Sequence, residues 1–236
     1  MDNTKYHKLR ENSRNQNYIN DNPPNRVVVV LTNKCNLSCY FCYQDRKSLP
    51  NAMSSDDWIN LIDTLETNCH ITITGGEPLL FKDFEKIFLH ASKRHTINII
   101  SNGTFLSKKF IDLFLSTKNF MVLSISIDTI GNTNRNVKPE QYEKMKESLS
   151  YFIALRNKLN HNAIFDTKST VVDDSANDLF NIYRHCKEDL KSDTHSFQFL
   201  KGSPIQHADK EFQYDKIFEI PNPDVYKNIN IIAAEF

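Results

Sequence analysis

The chain has 236 residues, with 29 Lys+Arg against 29 Asp+Glu and five cysteines. A formal net charge of zero leaves no basic field to draw in nucleic acid or an anionic membrane surface, and the apolar runs are too short to span a bilayer. The length suits one large domain with a substantial core.

Residues 1–25 are polar, end in a Pro-Pro turn and lack the apolar stretch of a signal peptide. They predict a flexible leader and a cytoplasmic, reducing location, where clustered cysteines bind metal more often than they form disulfides. From residue 26 short β-rich runs alternate with helical patterns. "RVVVVLT" (26–32) predicts a buried strand by its valines. "SSDDWINLIDTLETN" opens on serine caps and sets Trp58, Leu61, Ile62 and Leu65 on one helical face. "HITIT" (70–74) is a second strand, followed by a helix that aligns Phe81, Phe84 and Phe88.

"TINIIS" (96–101) is the third strand, closed by the Asn-Gly turn at 102–103, and its helix carries Phe110, Leu113 and Phe114. "FMVLSISID" (120–128) predicts the fourth, followed by a helix near 139–160 that aligns Tyr142, Met145, Leu149 and Phe152. "NAIFDTKSTVV" (162–172) predicts the fifth, with Leu179, Ile182, Tyr183, Cys186 and Leu190 striping the next helix; "SFQFLKG" (196–202) predicts the sixth. Six β-α units imply a parallel sheet with outer helices, a partial (β/α)6 TIM-type barrel short of the eight units of a closed one. The domain spans residues 26–202, and 203–236 form a less regular C-terminal extension, ending either naturally or by truncation.

Side chains alternate across a strand. Leu123, Ile125 and Ile127 therefore share one face of the fourth strand, and Ser124, Ser126 and Asp128 the other. The same rule groups Thr72 with Thr74, Asn98 with Asn102, and Asp166 with Lys168 and Thr170, with Gln198 a candidate on the sixth strand. Helices after every strand cover the apolar faces, so the polar ones are expected to turn to a concave, ligand-filled interior, the alternative being ordinary alternation with one solvated face.

Three cysteines fall within eight positions, Cys35-x₃-Cys39-x₂-Cys42, directly behind the first strand. A structural zinc site wants four protein ligands. Cys69 precedes a strand and Cys186 lies in an apolar stripe, so both are expected to be small core residues. A [4Fe–4S] cube takes one ligand per iron, and three thiols leave one iron open. An open position marks a site that does chemistry.

Cys35, Cys39, Phe41 and Cys42 make a Cys-x₃-Cys-x-aromatic-Cys pattern, "GGEP" (75–78) ends the second strand, "SNGT" (101–104) the third, "SIDT" (126–129) the fourth, and "STVV" (169–172) lies in the fifth. Over residues 26–202 the chain resembles the radical SAM superfamily, in particular the branch of molybdenum-cofactor biosynthesis proteins and SPASM peptide-modifying enzymes. The resemblance implies a [4Fe–4S] cluster on Cys35, Cys39 and Cys42, with S-adenosylmethionine (SAM) bound at the open iron. Reductive cleavage of SAM then yields a 5′-deoxyadenosyl radical that takes a hydrogen from the substrate.

It further implies that Gly75 and Gly76 approach the methionine amino group and that Glu77 accepts from it or fixes the loop. Ser126 and Asp128 serve the ribose or the methionine end. Arg135 meets the SAM carboxylate, with Lys168 as the alternative, and Phe41 and Tyr43 border the adenine. Partners would be a small-molecule or peptide substrate and an electron donor such as flavodoxin or ferredoxin. Other readings are a non-catalytic SAM- or cluster-binding module, an activase of a glycyl-radical enzyme, and a zinc domain. Among the histidines, His70 and His95 sit at strand starts, and His195 and His207 lie near the last strand.

Overall fold

The computed structural model describes residues 24–42, 53–172, 175 and 178–199. The predicted leader (but for residues 24 and 25), the extension over 203–236, Tyr43 and His207 lie outside them. Six strands form one sheet: β1 (Arg26–Thr32), β2 (His70–Gly75), β3 (Thr96–Ser101), β4 (Phe120–Ser126), β5 (Ile164–Val171) and β6 (Thr194–Phe199). Every neighbouring pair is parallel, and the spatial order is the chain order. A doubly wound sheet would reverse its order at a switch point. Sequential order is that of a barrel wall, and among the described residues β1 and β6 are its two edges.

Among the described residues five helices return the chain between strands: α1 (Ser55–Asp63), α2 (Phe84–Ala91), α3 (Lys108–Leu115), α4 (Pro139–Lys158) and α5 (Leu179–Arg184), the last running into a wider turn over His185–Asp189. The serine cap of α1 is real. Ser54 Oγ accepts from the Asp57 N–H at 3.1 Å, and the Asp57 carboxylate accepts from the Ser54 N–H at 3.1 Å.

The core lies between helices and sheet. Ile71, Ile73, Ile97, Ile99, Leu123 and Ile125 are fully buried on the outer face of the strands. Against them runs a chain of aromatic rings from α2 to β5, through Phe88, Phe114, Phe120, Phe152 and Phe165, with Phe114 stacked on Phe120 at 4.9 Å. Truncating one such ring typically costs about 3–5 kcal/mol. Tyr142, Met145, Leu149 and Phe152 of α4 and Leu179 and Ile182 of α5 are buried as expected, as are Cys69 and, beyond the end of α5, Cys186 and Leu190, whereas Tyr183 is only partly covered. Burial pushes the Cys186 thiol up to about 12, leaving it a small hydrophobe rather than a ligand.

Several expectations need correction. Among the described residues β1 is an edge strand, and it is only half buried: Val29 and Leu31 face the helices, while Val28 and Val30 are 55% and 40% exposed. Those two valines pair in register with Thr72 and Thr74, so the concave face is not uniformly polar. Leu61 turns outward on α1, and Ile62 alone of that helix is fully covered. β4 ends at Ser126, two residues early, because Asp128 belongs to a turn; β5 begins at Ile164 and β6 at Thr194.

The concave side of β4–β6 is polar as predicted. Asp166 accepts from Ser124 Oγ at 2.8 Å, Thr194 Oγ1 at 2.7 Å and Lys168 Nζ at 3.0 Å. His195 is buried and His70 half-buried; they are hydrogen-bonded to Thr167 and Thr96, and desolvation lowers each to about 4. Gln198 is exposed.

Candidate functional site

The loops after β1, β2 and β3 meet at the C-terminal mouth of the sheet. Their meeting is enforced by backbone. Gly76 N–H donates to Thr32 O at 2.7 Å and Glu77 N–H to Lys34 O at 2.8 Å, joining the root of the cysteine loop to the Gly-Gly-Glu-Pro turn. A Cβ on Gly75 would lie 2.3 Å from Thr32 O, and one on Gly76 2.4 Å from Lys34 O. No side chain fits there. The two glycines are thus demanded by the chain's own cysteine loop, a packing reason independent of any ligand.

Glu77 ties in the third loop. It is wholly buried, with Oε1 accepting from the Leu79 N–H at 3.1 Å and Ser101 Oγ at 2.9 Å, and Oε2 from the Asn102 N–H at 2.8 Å. Burial raises its carboxyl to about 7 even though these three donors and Arg135 pull it down. Of the two roles expected for Glu77, fixing the loop is the one these contacts perform.

Asn102 then reaches back across the mouth. Its amide nitrogen lies 3.0 Å from Asn36 Oδ1 and 3.7 Å from Cys35 Sγ, and Leu37 N–H is 3.4 Å from the same sulfur. Asn36 also donates to Thr104 at 2.9 Å. Cys39 is buried, whereas Cys35 and Cys42 are partly open. Burial pushes the Cys39 thiol up, Arg135 pulls it down, and Asp128 and the other two thiols, near enough for their charges to act on it, push it up again.

The turn after β4 supplies that arginine. Asn132, in the left-handed region at φ 52°, folds its side chain back: Oδ1 accepts from Asp128 N–H at 2.9 Å and Nδ2 donates to Ser126 O at 2.8 Å. Asp128 is fully buried. One of its oxygens accepts from Thr170 N–H at 2.6 Å, and the other pairs with Arg135 Nε. Arg135 Nη1 stands 3.8 Å from Cys39 Sγ, and its guanidinium carbon 5.3 Å from the centroid of the Phe41 ring.

The other expected site residues are more dispersed. Phe41 is buried in the core beneath Arg135. Ser126 and Lys168 are neighbours in register on the concave face, with Lys168 held by Asp166. Asn102 and Asn132, not singled out from the sequence as site residues, are central here. "SNGT" flagged the first; the glycine-asparagine pair inside a turn was the only trace of the second.

Among the described residues no three His, Cys, Asp or Glu side chains close on a single metal ion. Tetrahedral zinc would need its thiolates about 3.8 Å apart. A four-iron cube places each thiolate on a different iron, so its ligands surround it at wider spacing.

A family model described as the radical SAM superfamily matches residues 29–171, well over half of the chain. The chain belongs to the radical SAM superfamily. It is 30% identical over 167 residues to the sporulation killing factor maturation protein SkfB of Bacillus subtilis, covering 69% of this chain and 40% of that one. It is 31% identical over 148 residues to the S-adenosylmethionine-dependent nucleotide dehydratase of Selenomonas ruminantium, covering 57% and 52%. The chain thus spans about half the length, or less, of these curated relatives. In fold it is similar to Streptococcus suis SuiB bound to S-adenosylmethionine: TM-score 0.67, 17% identity, 88% of this chain and 50% of that one.

Radical SAM proteins bind a [4Fe–4S] cluster and SAM. The donor set here fits such a cluster: three thiols on one short loop, with N–H donors aimed at the sulfurs of Cys35 and Cys39. Donors to sulfur are what an anionic cluster requires of its surroundings. Among the described residues no helix is long and apolar enough to cross a membrane.

Proposed function

We propose that residues 26–202 form the catalytic core of a radical SAM enzyme in which Cys35, Cys39 and Cys42 hold the cluster. The observation that carries this is the cysteine loop itself, pinned by backbone bonds to the Gly-Gly-Glu-Pro turn and faced by Asn102 and Arg135 at two of its sulfurs. When bound, the cluster and SAM supply one-electron cleavage of the sulfonium bond and a 5′-deoxyadenosyl radical that abstracts a substrate hydrogen.

The protein's part is placement and exclusion. Gly75, Gly76 and Glu77 hold the turn that faces the methionine amino group, with the Glu77 carboxylate buried behind it. Ser126 and Lys168 lie on the concave face beside the mouth; the Lys168 ammonium, steadied by Asp166, retains donors for a carboxylate. Phe41, buried beneath Arg135, serves by backing the guanidinium rather than by bordering the adenine. Asp128 acts through Arg135 rather than on the ribose, since both its oxygens are taken.

The substrate is read as a peptide. SkfB is named as a maturation protein, SuiB has been crystallised with its precursor peptide SuiA, and the open edge at β1 leaves Val28 and Val30 accessible to an extended chain. A low-potential donor of the flavodoxin or ferredoxin class and a cytoplasmic location complete the proposal.

Anaerobic reconstitution is the test. The full chain is expected to turn brown, bind about four irons and four sulfides, and release 5′-deoxyadenosine with dithionite and SAM; Cys39→Ala should lose both cluster and product. Bound zinc without sulfide would overturn the reading. A stable cluster that never cleaves SAM would leave only a binding module.

A further inference from the structure

We propose that the Arg135 guanidinium, clamped by the buried carboxylate of Asp128, is a positioning residue for the cluster: it donates to the Cys39 sulfur and raises the cluster's reduction potential, instead of binding the SAM carboxylate. The inference rests on the functional reading above and assigns Arg135 a different task within it.

Three contacts fix the guanidinium. Nε is spent on Asp128, Nη1 is directed at Cys39 Sγ at 3.8 Å, and its carbon lies 5.3 Å from the centroid of the Phe41 ring. An arginine grips a carboxylate through two adjacent nitrogens, either Nε with Nη2 or Nη1 with Nη2. Each of those edges already has one nitrogen engaged. The side chain is also only 13% exposed, so little of it is offered to a ligand.

The clamp is itself built in. Asp128 is held by Thr170 N–H on one oxygen, and its own N–H is held by Asn132. Asp128 gives the buried cation its counter-charge, yet at Cys39 the pull of Arg135 outweighs the opposing push of Asp128. The arrangement also separates the cysteines chemically, for the Asn102 amide nitrogen and the Leu37 backbone N–H that face Cys35 are neutral.

The consequence is electrostatic. Reduction adds one electron to the cluster, and so one negative charge beside a fixed positive one in a buried setting where screening is weak. The reduced form gains more than the oxidised form, and the potential rises.

The test compares wild type, Arg135→Gln and Arg135→Lys as anaerobically reconstituted full chains. It uses redox titration followed by electron paramagnetic resonance without SAM or substrate, iron per chain, and SAM affinity by equilibrium dialysis. At equal iron, Arg135→Gln should titrate at a more negative potential than wild type, with Arg135→Lys between them, while SAM affinity stays within about twofold. An unchanged potential together with a SAM affinity lowered about tenfold or more would put the guanidinium on the carboxylate and overturn the proposal. Should Arg135→Gln assemble no cluster, Arg135→Lys decides: a potential below wild type supports the proposal and one at or above it overturns it. A wild type that takes up no iron sinks the functional reading and this one together, a result distinct from an unmoved potential.

Discussion

Glu77 shows how much of this site rests on single buried groups. Its carboxyl sits at about 7 in the folded chain against an ordinary 4.5. The folded state therefore holds the proton more tightly, and stability from this group is complete below about 4.5 and is lost as pH rises through about 7. The shift corresponds to something on the order of 3 kcal/mol. His70 and His195, lowered to about 4 by burial, work the other way: their stability is present above 6.5 and lost as pH falls through about 4. The opposed windows overlap, so the measurement is a difference. Urea unfolding of the cluster-free chain should show wild type losing stability relative to Glu77→Gln between pH 4.5 and 7. The glutamine variant should also carry a pH-independent cost of about 1–3 kcal/mol, because its amide leaves one of the Leu79, Ser101 or Asn102 donors unpaired. Parallel pH profiles would show that Glu77 is ionised throughout. The Cys, Gly-Gly-Glu-Pro and Ser-Asn-Gly motifs were legible in the sequence. What each side chain touches was not, since Asn102 and Cys35 are 67 residues apart and no local pattern marks the pair.

Among the elements, strand order and the stripe of α4 could be read from periodicity, whereas the stripes drawn for the α2 and α5 helices overran them, Phe81 falling before the one and Cys186 and Leu190 after the other. β1 misled for a physical reason. Four valines in a row mark a strand but not its place in the sheet, and an edge strand covers only one face. Likewise the end of β4 depended on Asn132 folding back to hold Asp128, a contact that competes with the ladder and that residue type alone does not reveal. The join between β1 and β2 carries a prediction of its own. In Gly76→Ala the new methyl would stand 2.4 Å from Lys34 O, a backbone atom that cannot swing aside. The two loops must part, at about 1–3 kcal/mol, and the cysteines move with them. Thermal unfolding should fall, and iron bound after reconstitution should fall with it. A variant less stable but with full iron would show that the cysteine loop holds its shape without the turn.

For the whole molecule, stability and chemistry sit at opposite ends of the sheet. The cysteine loop, Glu77 and Arg135 gather where the strands end; a second buried ion pair, besides Arg135–Asp128, lies where they begin. Arg156, in the last turn of α4, pairs with Asp193 just before β6 and donates to Ala163 O at 3.2 Å just before β5. Asp193 in turn accepts from Phe165 N–H at 2.8 Å. One carboxylate thus fastens α4, β5 and β6 together at the open side of the barrel. Removing it leaves the arginine, 4% exposed, without a counter-charge. Asp193→Ala should therefore cost about 3–5 kcal/mol, read as a lower urea midpoint at an unchanged slope. Iron content and 5′-deoxyadenosine formed per folded chain should stay at wild-type levels, because among the described residues the hydrogen-bond partners of the two side chains, Ala163 and Phe165, lie at the start of β5 and not at the mouth. If SAM cleavage per folded chain fell as well, the strand starts and ends would be coupled through the sheet, and the division of the molecule into a stabilising base and a reactive mouth would fail.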